Sequence, residues 1–297
     1  MAATALAAAF VVPLARRRFG IHPAVTAMAV ASGPPALAVL RPRTRQRDGA
    51  LYMLQMWGFL NCKDLPYDDP EALRRRLRID YPIRIDRALG GGELPNVRIQ
   101  RALAGLGRAN LLDRGLSWSH WLWFLEPHGS LAWILAKHPE RFPRSARQMS
   151  AVFDLGCIFY AAFPTAPPWW ASDQGHTDER VRRIMVEVGE EQWGRSWDRL
   201  YAFFGSNPWA AMPSLHFAVS LMAALLLTEA GPVEGALGWT YAVTLGFALI
   251  YLGEHYVIDL VAGAALVLAV RRGEKAAEPL AGAVGRALQR LEWVASR

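Results

Sequence analysis

Five apolar stretches, at about residues 117–137, 148–164, 214–230, 236–254 and 257–270, constrain the fold more than any other feature of this chain. Each approaches the roughly 20 residues that a helix needs to cross a bilayer. Lipid offers a backbone no water to bond, so such stretches fold as helices that satisfy their own N–H and C=O groups. The reading is an all-α, polytopic membrane helix bundle of about five or six transmembrane helices plus interfacial helices. Composition agrees: of 297 residues, 53% are hydrophobic and 20% charged, less charge than an ordinary soluble domain carries. Trp118, Trp121, Trp123, Trp169, Trp170, Trp209 and Trp239 fall near the ends of apolar runs, where an interfacial belt places them.

The first 116 residues form a membrane-associated N-terminal region. Residues 3–14 are apolar and followed by Arg16-Arg17-Arg18, the reverse of a signal peptide's order, and predict a short N-terminal helix. Residues 21–40 are a candidate span interrupted by Pro34-Pro35, and residues 50–62 are short for a crossing. Residues 63–116 mix acids, an arginine run (Arg74-Arg75-Arg76) and Gly90-Gly91-Gly92, and read as a surface-lying segment. The core is residues 117–270 with a long loop at 165–213, and residues 271–297 form a cytoplasmic tail. Within the loop, Val181, Met185, Val188, Trp193, Trp197, Tyr201 and Phe204 recur at helical spacing, predicting an interfacial helix over 178–204.

A net charge of +7 does not point to nucleic acid, because the arginines fall in short blocks between apolar runs and suit anionic headgroups. Cys62 and Cys157 are isolated, and no ligand spacing suggests a metal. The expectation is an enzyme with no metal and no cofactor. His138, Arg141, Arg144 and Arg147, together with Arg271-Arg272, mark the cytoplasmic face by the positive-inside rule. Alternation then places the 165–213 loop, His216, His255 and Asp259 on the extracytoplasmic side of a multi-pass cell-membrane protein.

Ionisable groups at the ends of membrane-length segments are functional candidates. His255 and Asp259 are spaced i,i+4, which on a helix sets the carboxylate beside the imidazole. The acid can take the proton of one ring nitrogen and leave the other as nucleophile or base. A second histidine, His216, would then protonate a leaving oxygen. Phosphoryl transfer through a phosphohistidine needs this set.

Ala211-Met212-Pro213-Ser214-Leu215-His216 and Gly253-Glu254-His255-Tyr256-Val257-Ile258-Asp259, with Phe163-Pro164-Thr165-Ala166-Pro167-Pro168-Trp169 before them, resemble the motifs of the type-2 phosphatidic acid phosphatase superfamily. They look most like its inositol phosphorylceramide synthase branch. The resemblance covers about residues 117–270 and implies the phosphatidic acid phosphatase/haloperoxidase type of helical membrane core. It implies His255 as nucleophile, Asp259 as its orienting acid, His216 as general acid, and Ser214 as a holder of phosphate oxygens. The implied activity is that of a lipid phosphatase or phosphotransferase on a phospholipid, sphingolipid or isoprenoid-phosphate substrate. A non-catalytic membrane scaffold and a lipid transporter are the alternatives.

Two departures matter. The first motif of most such phosphatases, a lysine followed by Arg-Pro, has its nearest counterpart in Lys137 to Arg144, followed by Ser145 on the inner face. The third motif usually opens Ser-Arg, whereas here it opens Gly253-Glu254. A compensating cation is needed, since charge stabilisation is commonly the largest catalytic contribution. Arg180, Arg182, Arg183, Arg195 and Arg199 of the loop are candidates, and Arg180, Arg183, Glu254 and His128 join Ser214 as substrate-binding candidates. Asp154, inside a span, is expected to face protein.

Overall fold

The computed structural model describes residues 1–197 and 207–295. The protein is all-α, 77% helical. Among the described residues no strand forms, only the isolated bridges of Thr165 with Arg78 and with Ala210. The chain divides into two compact units, Met1–Leu65, Leu131–Cys157 and Leu268–Arg297 against Pro66–Ser130 and Ile158–Val267. Pro23–Leu40 and Pro232–Tyr251 are long and apolar enough to cross a membrane, and Leu215–Ala230 is apolar but shorter.

The first unit is built on helices Ala2–Phe19, Pro23–Leu40 and Arg45–Cys62. Pro34 and Pro35, which the sequence reading takes as an interruption, lie inside a continuous helix. Each proline removes one intrahelical bond. Burial of Val30, Gly33, Ala36 and Ala38, with Gly33 close against Ala9 and Leu54, holds the turn in spite of that loss. The short apolar run at 50–62 is the C-terminal part of an 18-residue helix, begun by Thr44, whose hydroxyl accepts from the Arg47 amide at 3.1 Å. Asp154 faces protein, accepting two bonds of 2.9 and 2.8 Å from Gln55. Arg144 is held by Glu274 at 2.8 Å.

The second unit contains helices Asp80–Leu89, Pro95–Leu103, Leu111–Leu122, Ile184–Trp193, Leu215–Ala230 and Pro232–Tyr251, and the start of Val257–Ala295. Two expectations are corrected here. The single span expected over 117–137 is two helices, Leu111–Leu122 and Glu126–Lys137. Residues 123–125 turn between them, with Trp123 and Phe124 amides bonded to His120 and Trp121 carbonyls, and Pro127 suits only the first turn of a new helix. The first of these helices starts where the Asn110–Asp113 capping box satisfies its free amides.

The amphipathic helix expected over 178–204 is, within the described residues, Ile184–Trp193, with 195–197 helical again after a turn at Gly194. Its upstream part is extended because its polar groups are already engaged. Gln100 bonds both the amide and the carbonyl of Arg182, and the Ser172 hydroxyl bonds the Val181 amide. Arg199, Tyr201 and Phe204 lie outside the described residues.

Candidate active site

Helix Leu215–Ala230 begins at Ser214, whose hydroxyl accepts from the Phe217 amide at 3.3 Å. That cap puts His216 in the first turn. The Ser214 amide in turn donates to the Asp259 carbonyl at 3.0 Å, joining two motifs about forty residues apart. Tyr160 supports the same turn, donating to the Pro213 carbonyl at 3.1 Å. The approach is close because position 263 is glycine: a Cβ there would lie 2.8 Å from the Ser214 carbonyl oxygen. Gly263→Val must therefore push the His216 turn away from the helix that carries Asp259. Displacement on this scale costs on the order of 10²-fold in rate. Turnover of the purified variant beside its melting temperature checks this, and wild-type turnover contradicts it.

His255 lies in the turn between Pro232–Tyr251 and Val257–Ala295. The turn needs Gly253, which has φ +81° and where a Cβ would meet the Arg182 carbonyl at 2.4 Å. The Gly253 carbonyl accepts from the Trp169 amide at 3.2 Å, and the Leu252 carbonyl from the Ile184 amide at 3.2 Å. So the Pro-Pro-Trp segment and the later part of the 165–213 loop are both fastened to the histidine turn.

The residues that hold this turn from the other side come from the segment read as surface-lying. Asn96 donates to the carbonyls of Ile250 at 2.7 Å and His255 at 2.9 Å. Gln100 donates to Tyr251 at 2.8 Å. Asp86, wholly buried, accepts from the Val257 and Ile258 amides at 2.7 and 3.1 Å. It thereby caps from outside the helix that bears Asp259. A buried polar residue and a solvated one look alike in sequence until the partner is known, and this is why Asp86, Asn96 and Gln100 were missed. Burial pushes the Asp86 carboxyl up from 3.8 to about 6, against the pull of its two amide donors. Its folded value thus lies above the unfolded one, so its stabilisation is full below pH 3.8 and is lost as pH rises through about 6. Asp86→Asn, which does not titrate, is expected to flatten the melting temperature across that window. An unchanged pH profile contradicts the assignment.

Asp259 is wholly buried and His255 nearly so. Asp259 Oδ2 accepts from the Tyr256 amide at 2.9 Å and faces His255 Nδ1 at 3.2 Å. That bond assigns the imidazole proton to Nδ1 and leaves the lone pair on Nε2. His255 Nε2 lies 3.3 Å from His216 Nδ1. Both imidazoles line a cavity of about 620 Å³ whose walls include Trp118, Trp121, Trp193 and Trp197. The arrangement offers an acid-oriented nitrogen nucleophile with a second imidazole beside it.

The structure separates the other candidates. Glu254 and Arg183 line the same cavity and pair at 2.8 and 3.1 Å, with the Arg183 guanidinium 3.9 Å from the Trp169 ring centre. Arg180 lines a separate, polar cavity with Asp173, Asp178 and Glu179. Arg182 is taken up by Glu187 and by the Gly105 carbonyl at 2.9 Å, and Arg195 is exposed. Ser214 is wholly buried, and neither it nor His128 is among the described residues lining the cavity.

One further imidazole stands in the site. His120, near the end of Leu111–Leu122, is buried, and its ring lies 4.9 Å from that of His216 with 30° between the planes. Its signal was present: Asp113, Ser117 and His120 are spaced i, i+4, i+7 and form a buried polar stripe on an otherwise apolar helix.

A buried acid, two imidazoles in line and a tryptophan-walled cavity on an all-α scaffold define a class of membrane proteins that handle phosphoesters. The family model described as the PAP2 superfamily matches residues 95–271. The chain belongs to this superfamily and has its all-α membrane fold. It is similar to the inositol phosphorylceramide synthase of Candida albicans, 30% identical over 165 residues, 50% of this chain and 34% of that one. Similarity to the inositol phosphorylceramide synthase catalytic subunit of Schizosaccharomyces pombe is 24% over 256 residues, 78% of this chain and 55% of that one. The corresponding subunit of Saccharomyces cerevisiae is 29% identical over 121 residues, 38% and 29% of the two chains. The matches thus span about a third to a half of the relatives' lengths. No solved structure matches the chain.

Proposed function

We propose that the protein is an integral membrane phosphotransferase that moves a phosphoryl-linked headgroup between lipid alcohols through a phosphohistidine on His255. The observation that carries this is the line Asp259–His255–His216, with spacings of 3.2 and 3.3 Å at the edge of the cavity. His255 Nε2 attacks phosphorus, and the bond from phosphorus to the leaving alcohol breaks as His216 gives that oxygen a proton. Asp259 stabilises the imidazolium that forms on His255. The acceptor hydroxyl then attacks the phosphohistidine, His216 takes its proton, and His255 is released. With water as acceptor the same steps hydrolyse the lipid, and on a phosphomonoester they make a lipid phosphatase.

Arg183 supplies the charge that the missing motif arginines would. Among the described residues it is the arginine lining the cavity, and Glu254 and Trp169 fix its plane. A phosphoryl group entering beside it competes with Glu254 for the guanidinium. The basic segments around His138–Arg147 and at Arg271-Arg272 support a site at the extracytoplasmic leaflet. The names of the relatives favour an inositol-phosphate group as cargo and a ceramide-like alcohol as acceptor.

The test is purified protein in vesicles of phosphatidylinositol labelled in the inositol ring, with and without ceramide or diacylglycerol. Label appearing on the acceptor lipid supports the transferase. Release only as free inositol phosphate supports hydrolysis, with water as the acceptor. Label remaining wholly on phosphatidylinositol sinks this choice of donor.

A further inference from the structure

We propose that His120 is a third histidine of the catalytic site, holding the alcohol that leaves or enters phosphorus beside His216. The inference rests on the phosphohistidine reading above and assigns a residue that neither the motifs nor that reading uses.

His120 is 6% exposed, and neither of its ring nitrogens has a hydrogen-bond partner among the described residues. Buried polar atoms are almost always paired, and a histidine kept only for packing would be bonded to a carbonyl or a side chain. Here the residue lines the cavity that His216 and His255 share. Trp121 lines it too, and its indole Nε1 is likewise without a partner among the described residues. A polar group in the cavity would complete these atoms.

Position selects the role. His216 protonates the leaving oxygen in the cycle above, and at 3.3 Å from His255 Nε2 its Nδ1 must give way for phosphorus to enter. The His120 ring lies 4.9 Å from the His216 ring, beside an oxygen that His216 serves. A neutral imidazole there can donate to the alcohol oxygen as the phosphorus–oxygen bond breaks, with the transferred proton still coming from His216. In the second half it donates to the oxygen of the incoming hydroxyl while His216 takes that hydroxyl's proton. No atom or charge is added to the cycle.

The role predicts dependence on the leaving group. An alkoxide needs a proton and a donor to depart, whereas a nitrophenolate departs without them. The test compares octyl phosphate with 4-nitrophenyl phosphate, using the detergent-purified protein and its His120→Phe, His120→Gln and His255→Ala variants. Phenylalanine keeps the stack on His216 but bonds nothing, and glutamine restores a donor and an acceptor.

His120→Phe is expected to lower the octyl-to-nitrophenyl ratio of kcat/KM by about 30-fold, and His120→Gln to keep it within about 3-fold of the unaltered protein. A purely structural role lowers both rates alike and leaves the ratio where it was. An unchanged ratio in His120→Phe overturns the proposal. His255→Ala separates the two levels. If it still cleaves both esters, the phosphohistidine reading fails; if it is inert while the His120→Phe ratio is unchanged, only the role of His120 fails. An unaltered protein inert on both esters removes the hydrolytic half of the cycle and this role with it.

Discussion

His255→Gln is expected to reduce transfer by at least about 10⁴-fold, because the other groups of a covalent mechanism do little without the nucleophile. Glutamine fills similar space and can still meet Asp259, so the loss should come without a large change in melting temperature. Quenching the unaltered protein during turnover of a ³²P-labelled lipid should trap acid-labile, base-stable phosphate on the chain, and His255→Gln should trap none. Residual transfer within about 10-fold of the unaltered protein would leave the nucleophile unassigned.

Asp259→Asn comes next in size. The carboxylate now accepts from His255 Nδ1 across 3.2 Å and holds the lone pair on Nε2. An amide NH₂ turned toward Nδ1 would donate instead and favour the tautomer with its proton on Nε2, where attack must occur. Holding geometry but reversing the tautomer costs about 10³- to 10⁴-fold in a comparable acid–imidazole pair. The loss should fall on kcat far more than on KM. The same Oδ2 accepts from the Tyr256 amide at 2.9 Å, so an NH₂ turned there gives up that bond, and the melting temperature is measured beside the rates. A variant that lost affinity but kept kcat would show that Asp259 shapes the cavity rather than the imidazole.

The two predictions rest on residues legible in the sequence, and it is instructive which others were not. His216, His255 and Asp259 stand out because ionisable groups are scarce beside apolar runs. The joining of their two motifs, through the Ser214 amide and the Asp259 carbonyl, follows from backbone geometry that no residue pattern announces. Arg183 was one of five arginines in the loop. It is distinguished only by Glu254 and by the Trp169 ring beneath it, contacts fixed once Gly253 turns the chain and the loop is fastened to Leu252.

The charge of the segment at 63–116 points to a surface-lying segment and says nothing of its buried face. Helices Asp80–Leu89 and Pro95–Leu103 carry arginine on one face, but Asp86, Asn96 and Gln100 lie buried on the other. Their work is to satisfy backbone groups at the His255 turn. The break at 123–125 was likewise hidden inside an unbroken apolar run, although Pro127 marked it. That break leaves His120 close to the end of its helix and beside His216.

The central claim is a two-step transfer through one histidine, and the stereochemistry at phosphorus tests it most directly. A lipid phosphodiester made chiral by sulfur and an oxygen isotope should be turned over by the purified protein in the presence of its acceptor alcohol. Attack by His255 and then by the acceptor inverts phosphorus twice, so the product should show net retention. Net inversion would mean that the alcohol attacks the lipid directly, and that His255 never carries the phosphoryl group.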